Sequence, residues 1–220
     1  MLGFAGLSVF AQKTELAPEL APGARTNFRA LLNVPAMAQP VVVTPSNVGK
    51  NWYSIETDAH VFTGEVSVKQ VAAVLLDLEG YAKYFDGNKS KITVSVVSPG
   101  PNETIADFVL VSIIPVIRIN IRTPYRTSVV TRENTDKKFI QEIRQLPSDS
   151  NSNKDIKNLI AYRYAEEVII DGKPYTYIRM ASINDADASI LPGAQGILEK
   201  NSSPVNEEAL QMIIKAAKNK

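Results

Sequence analysis

Residues 159–170 and 175–184 are both rich in aromatic and β-branched side chains, and Asp171-Gly172-Lys173-Pro174 separates them. Asp-Gly between two such runs accommodates the positive φ angles of a tight hairpin. This feature constrains the fold more than any other in the chain. It makes the two runs antiparallel neighbours and sets their register. With a two-residue turn, Glu166 stands opposite Tyr177 and Tyr164 opposite Arg179. Those four, with Tyr162 and Val168, then share one face of a sheet.

Further strand signals precede the hairpin. Residues 52–65 (WYSIETDAHVFTGE) are aromatic and β-branched. Residues 91–98 alternate, and Pro99-Gly100-Pro101-Asn102 ends them. Residues 104–114 form a long apolar run, and Pro115 marks a bulge or a change of strand. Residues 118–122 alternate strictly, with Arg118, Asn120 and Arg122 on one face and Ile117, Ile119 and Ile121 on the other, as in a half-buried antiparallel strand. Residues 127–132 and 138–146 add two more strands. Residues 147–158 (PSDSNSNKDIKN) are polar and aperiodic, so they read as an exposed loop.

Helical signals bracket these strands. Ser67 followed by Gln70 forms a capping box, and Val68, Val71, Ala72, Leu75 and Leu78 follow as a one-sided stripe. Gly80 interrupts, and residues 81–85 give another turn or two. At the other end, residues 190–200 and 207–218 read as two helical pieces separated by Asn201-Ser202-Ser203-Pro204. The second carries Leu210, Ile213, Ile214 and Ala217 on one stripe, with an acidic first turn and a basic last turn.

The chain has 220 residues, 45% of them hydrophobic, which suffices for one domain with its own core. The formal net charge of +1 gives no global field toward nucleic acid or anionic membrane. The absence of cysteine excludes disulfides, thiolate metal sites and a cysteine nucleophile. With one histidine, His60, a multi-histidine zinc site is impossible, and a serine triad would have to pass through that residue. No cofactor or metal is called for.

Residues 1–11 (MLGFAGLSVFA) are apolar, too short to span a bilayer, and end Val9-Phe10-Ala11, which suits signal peptidase. No basic residue precedes Lys13. We expect a signal-peptide remnant over 1–11, an N-terminal extension over 12–50 interrupted by prolines and holding a short helix at 26–32, and one domain over 51–220. The expected location is periplasmic or secreted, in a bacterial envelope.

The order strand, helix, antiparallel strands with hairpins, terminal helix resembles the START-like helix-grip (SRPBCC) superfamily, which includes birch-pollen-allergen-type proteins and polyketide cyclases. The segment Val71-Ala72-Ala73-Val74-Leu75-Leu76-Asp77-Leu78-Glu79-Gly80-Tyr81-Ala82-Lys83-Tyr84-Phe85 is similar to that family's first helices. Leu191-Pro192, with residues 196–200, is similar to the start of its terminal helix. The break at residues 201–204 departs from a continuous gripping helix. The resemblance covers about residues 50–218. It implies an α+β fold, a curved antiparallel sheet gripping a C-terminal helix, with an apolar tunnel between them and Tyr81 and Phe85 closing its mouth.

A tunnel needs inward apolar or aromatic side chains and few polar anchors. Tyr162, Tyr164, Tyr177 and Arg179 suit that role, each tyrosine offering a flat face and one hydroxyl. Arg179 could meet a carboxylate or phosphate headgroup, or pair with Glu166 on an exposed face. Arg118, Arg122 and Arg126 read as a basic ladder or a solvated strand face. His60 and Asp58 share a face, as an acid–base pair or as a hydrogen-bonded surface histidine. Glu166 and Glu167 point to opposite faces, and Asp185 with Asp187 could coordinate calcium but more simply ends a strand.

Binding or transfer of a lipid or other apolar small molecule is the expected function, with transient membrane contact and no nucleic acid. A cyclase or hydrolase acting on an apolar substrate in the same tunnel remains open, as does an interaction domain. Polar groups converging near His60, Tyr164 and Arg179 would favour the enzyme.

Overall fold

The computed structural model describes residues 37–38, 42–114, 119–147, 155–191 and 193–220. The apolar start at 1–11, the helix expected at 26–32, Pro115, Arg118 and Pro192 lie outside the described residues.

Nine strands among the described residues form one sheet. They are β1 (Met37–Ala38), β2 (Val42–Pro45), β3 (Trp52–Thr63), β4 (Ser90–Ser98), β5 (Glu103–Ile114), β6 (Ile119–Asn134), β7 (Lys138–Gln145), β8 (Ile156–Ile170) and β9 (Lys173–Asp187). The order is β1-β3-β9-β8-β7-β6-β5-β4, with β2 also on β3, and every pairing is antiparallel. Three helices accompany it: α1 (Val68–Leu76), the short α2 (Tyr81–Tyr84) after a 3-10 turn, and α3 (Ala194–Ala217). This is the α+β helix-grip arrangement, a curved sheet holding a C-terminal helix. The sheet begins inside the stretch read as an extension, because β1 and β2 both pair with β3.

Local chemistry accounts for the elements. Ser67 and Gln70 close the expected capping box at the start of α1. Asp171 and Gly172 adopt φ of 51° and 76°, leaving Ile170 paired with Lys173 across a two-residue turn. The register matches the sequence reading, with Glu166 opposite Tyr177 and Tyr164 opposite Arg179.

Three further elements differ from expectation. The two strands read at 118–122 and 127–132 are one strand, β6, running through Pro124. Arg126 there accepts the Leu146 N–H through its carbonyl, so Pro124, two residues earlier, faces the same side beyond the end of β7. No ladder donor is needed at that place. β8 already starts at Ile156, inside the stretch expected as a polar loop, with a bulge between Lys157 and Ile160 where Asn158 has φ of 55°.

The third difference is α3, which continues through residues 201–204 with Pro204 inside it. Asn201 Nδ2 donates to the Ile197 carbonyl and Ser202 Oγ to the Leu198 carbonyl, each at 2.7 Å, and Asn206 Nδ2 donates to the Ser202 carbonyl at 2.8 Å. Side-chain donors thus support the carbonyls of the turns around the proline.

The main core lies between one sheet face and the helices. Ala59, Val61, Ala106, Phe108, Val129, Phe139, Ile143, Ala165 and Ile178 meet the stripes of α1 and α3 there. Full burial of side chains such as Phe108 or Leu210 stabilises by about 1.5–3 kcal/mol each. Glu208 of α3 latches the helix to the loop before β4. Its carboxylate accepts the backbone N–H groups of Asn88, Lys89 and Ser90 at 3.0, 2.9 and 3.3 Å.

Candidate ligand compartment

The inner face of the sheet carries odd-numbered residues of β8, namely Ala161, Arg163 and Ala165. Their cross-strand partners Gln141, Ile143 and Phe139 on β7, and Met180, Ser182 and Ile178 on β9, share that face. On the far side, Phe108 pairs with Tyr125, Leu110 with Thr123, and Ser112 with Ile121. The start of α3 closes on the sheet from two directions, because Tyr53 of β3 and Ile121 of β6 both pack on Ala188, Leu191 and Ala194. The end of α3 is sealed by Leu210, Ile213 and Ala217 in the main core. Between these two contacts the inner-face side chains Leu110, Thr123, Tyr125, Ala161, Met180 and Ser182 are only half-buried, although they point toward the helix. These half-buried side chains on the helix-facing side of the sheet are the candidate lining of a ligand compartment beneath α3.

Its wall holds one connected polar cluster. Tyr81 donates its hydroxyl proton to the Leu75 carbonyl at 2.8 Å, and Gln141 Nε2 donates to the same carbonyl at 3.3 Å. Arg163 Nη1 donates to Tyr81 Oη and, at 3.2 Å, to Gln141 Oε1. The guanidinium lies 5.0 Å from the Tyr81 ring centre, a cation–π contact. Tyr81 meets Phe85 at 4.8 Å and Phe108 edge-on at 6.2 Å, and Phe108 stacks on Tyr125 at 5.6 Å. Burial pushes the Tyr81 hydroxyl up, against the opposing pull of Arg163. Burial likewise pushes Tyr125 up to about 12, so both stay protonated donors at neutral pH.

Of the side chains anticipated for the tunnel, Tyr81 and Phe85 are fully buried in this interior. Tyr162, Tyr164, Tyr177 and Arg179 share one face as the register requires, but it is the outer face, away from the helices. There Phe62, Ile140, Tyr164, Ile170 and Tyr177 form a separate cluster. The physical reason is space: the helices pack over a sheet face where Ala59 of β3 and Ala165 of β8 are small, α3 against β3 and α1 against β8, and the rings of β8 and β9 alternate to the other side.

Arg179 pairs with Asp58 rather than with Glu166, through Nε at 2.7 Å and Nη2 at 2.5 Å. Glu166 instead accepts the Tyr164 hydroxyl at 2.6 Å. His60, Arg179 and Tyr164 do converge in a row across β3, β9 and β8, outside the tunnel in which an enzyme reading would need them. Asp58 is committed to Arg179, and His60 Nε2 is sealed without a hydrogen bond. Of the basic ladder, Arg126 forms a bidentate pair with Asp107 at 2.6 and 2.9 Å and Arg122 is exposed. Asp185 accepts from Asn158 at 2.7 Å, and Asp187 ends β9 and accepts from the Ser189 N–H. Among the described residues no group of three or more potential metal ligands occurs.

Arg163, Gln141 and Tyr125 were missed in the sequence. The available signal was Ala161-Tyr162-Arg163-Tyr164-Ala165, where small residues flank the arginine on one face and rings occupy the other.

Among solved structures, the chain is similar to a STAR-related lipid transfer protein (fragment 25–204) from Xanthomonas axonopodis. The identity is 9%, the coverage 81% of this chain and 99% of that one, and the TM-score 0.51. It is also similar to a protein from Thermus thermophilus at 12% identity, covering 74% and 94% of the two chains, with a TM-score of 0.46. A di-domain aromatase/cyclase, StfQ of the steffimycin biosynthetic pathway, matches at 12% identity over 76% of this chain and 52% of that one, with a TM-score of 0.47. No family model and no curated protein matches. The chain therefore has the START-like helix-grip fold.

Proposed function

We propose that this protein binds an apolar small molecule or lipid in the compartment under α3 and carries or presents it in a bacterial envelope. The observation that carries the reading is the set of side chains, Leu110, Tyr125 and Met180 among them, that lie on the helix-facing side of the sheet and are only half-buried there. Apolar walls with a few fixed polar groups are the usual composition of a small-molecule site. The lipid-transfer protein of the same fold supports it. The apolar run at residues 1–11, ending Val9-Phe10-Ala11, supports export.

The full chain, expressed in a bacterial host and purified, is extracted with organic solvent for mass spectrometry beside a native mass spectrum. A stoichiometric apolar adduct is expected. An unliganded mass that stays unchanged after incubation with mixed lipids overturns the carrier reading. A mature N-terminus at Gln12 after expression supports export, and an uncleaved cytoplasmic chain overturns it.

A further inference from the structure

Arg163 differs from every other arginine among the described residues. Arg126, Arg132, Arg144 and Arg179 are each paired with a carboxylate, and Arg122 is exposed. Arg163 is 6% exposed, yet no carboxylate among the described residues meets it. A buried cation without a counter-ion is costly unless something supplies the opposite charge.

Among the described residues the hydrogen bonds of Arg163 all leave from Nη1, toward Tyr81 and Gln141. Both acceptors are themselves pinned by the Leu75 carbonyl, so the guanidinium is held by one end. Nε and Nη2 form the fork that accepts a carboxylate side-on in two parallel hydrogen bonds. Neither makes a hydrogen bond among the described residues, and neither is sealed. The only sealed side-chain nitrogen or oxygen lacking a partner there is His60 Nε2, on the other face. The Tyr125 hydroxyl makes no hydrogen bond among the described residues either, and its half-buried ring lies on the same wall.

Resting on the carrier reading, we propose that the compartment takes an amphiphile ending in a single carboxylate, gripped side-on by Nε and Nη2 of Arg163. The ligand's one negative charge neutralises the one buried positive charge, and its hydrocarbon part lies along Leu110, Tyr125 and Met180. A dianionic phosphate monoester fits less well. No lysine or second arginine among the described residues joins Arg163 in the cluster, so a phosphate would leave a buried net negative charge.

The test compares dodecanoate, dodecanol and dodecyl phosphate binding to the full chain by calorimetry at neutral pH, with Arg163→Met and Arg163→Lys beside the wild type. The wild type is expected to bind dodecanoate at least about tenfold more tightly than dodecanol, the scale of one desolvated charge-assisted pair. Arg163→Met should erase that ratio while still binding dodecanol, and Arg163→Lys should keep only part of it. Equal affinity of the wild type for acid and alcohol overturns the headgroup assignment and leaves the carrier reading standing. So does a preference for the phosphate. Failure to bind any of the three overturns both. The wild-type ratio decides the matter even if a variant does not fold.

Discussion

Tyr81 and Arg163 are 82 positions apart in sequence and in direct contact, the Arg163 Nη1 donating to the Tyr81 hydroxyl while the guanidinium lies over the ring. The same hydroxyl donates to the Leu75 carbonyl at the end of α1, so one oxygen ties α1, α2 and β8 together. Tyr81→Phe keeps the ring and removes that oxygen. It leaves a buried carbonyl and a guanidinium each short of a partner, at a cost of about 1–3 kcal/mol. The expected result is a lower urea midpoint with an unchanged m-value and a native circular dichroism spectrum. An unchanged midpoint would show that the contact contributes nothing net.

The outer face gives a pH dependence through His60. Burial lowers its pKa most, the Asp58 carboxylate raises it, and Arg179 lowers it further. The imidazole is therefore neutral in the folded state at a pH where the unfolded chain already binds the proton. The stability it contributes is fully present above about pH 6.5, the ordinary value, and is lost as pH falls from there through the lowered folded value. His60→Gln should flatten the stability profile between those two values. NMR titration of the single histidine checks the direction, and a midpoint above 6.5 would contradict it.

The latch between α3 and the loop before β4 depends on Gly87. A Cβ there would collide with Glu208 Oε2 and come within 2.9 Å of the Ser90 carbonyl oxygen. Gly87→Ala and Glu208→Ala should each destabilise by about 1–3 kcal/mol, since the bonds involved are charge-assisted. Because both remove the same contact, the double variant should cost little more than either single one. Additive losses in a double-mutant cycle would separate the two.

Pro204 offers a test of opposite sign. It removes one N–H from the middle of α3, toward the Lys200 carbonyl, and proline costs about 3 kcal/mol relative to alanine in a helix interior. Part of that is offset by Asn201, Ser202 and Asn206. Pro204→Ala should therefore raise the melting temperature, by an increment below the full proline penalty. A fall in melting temperature would mean that the proline helps fit α3 to the sheet.

Most elements were legible because their causes are local. The capping box of Ser67 and Gln70, the Asp171-Gly172 turn and the alternation of β4 each depend on residues within a few positions of one another. The continuity of α3 was not legible. Asn201-Ser202-Ser203-Pro204 has the composition of a break, and only side-chain bonds back to the preceding turn carry the helix through it. β6 was split for a related reason, since Pro124 is tolerated only because β7 has ended on that side.

By itself the sequence determined the order of elements from β3 onward, the register of β8 with β9, and therefore which residues share a face. It did not determine which face meets α3. Alternation has period two and is symmetric between the faces, so Tyr162, Tyr164 and Tyr177 on one side and Ala161, Arg163 and Ala165 on the other are equivalent until a helix is placed. Packing decides it, because a helix approaches a sheet closely over small side chains, and only there can Tyr81, Gln141 and Arg163 meet. The interior anchor is thus Arg163 rather than Arg179, a choice made by contacts between segments far apart in the chain.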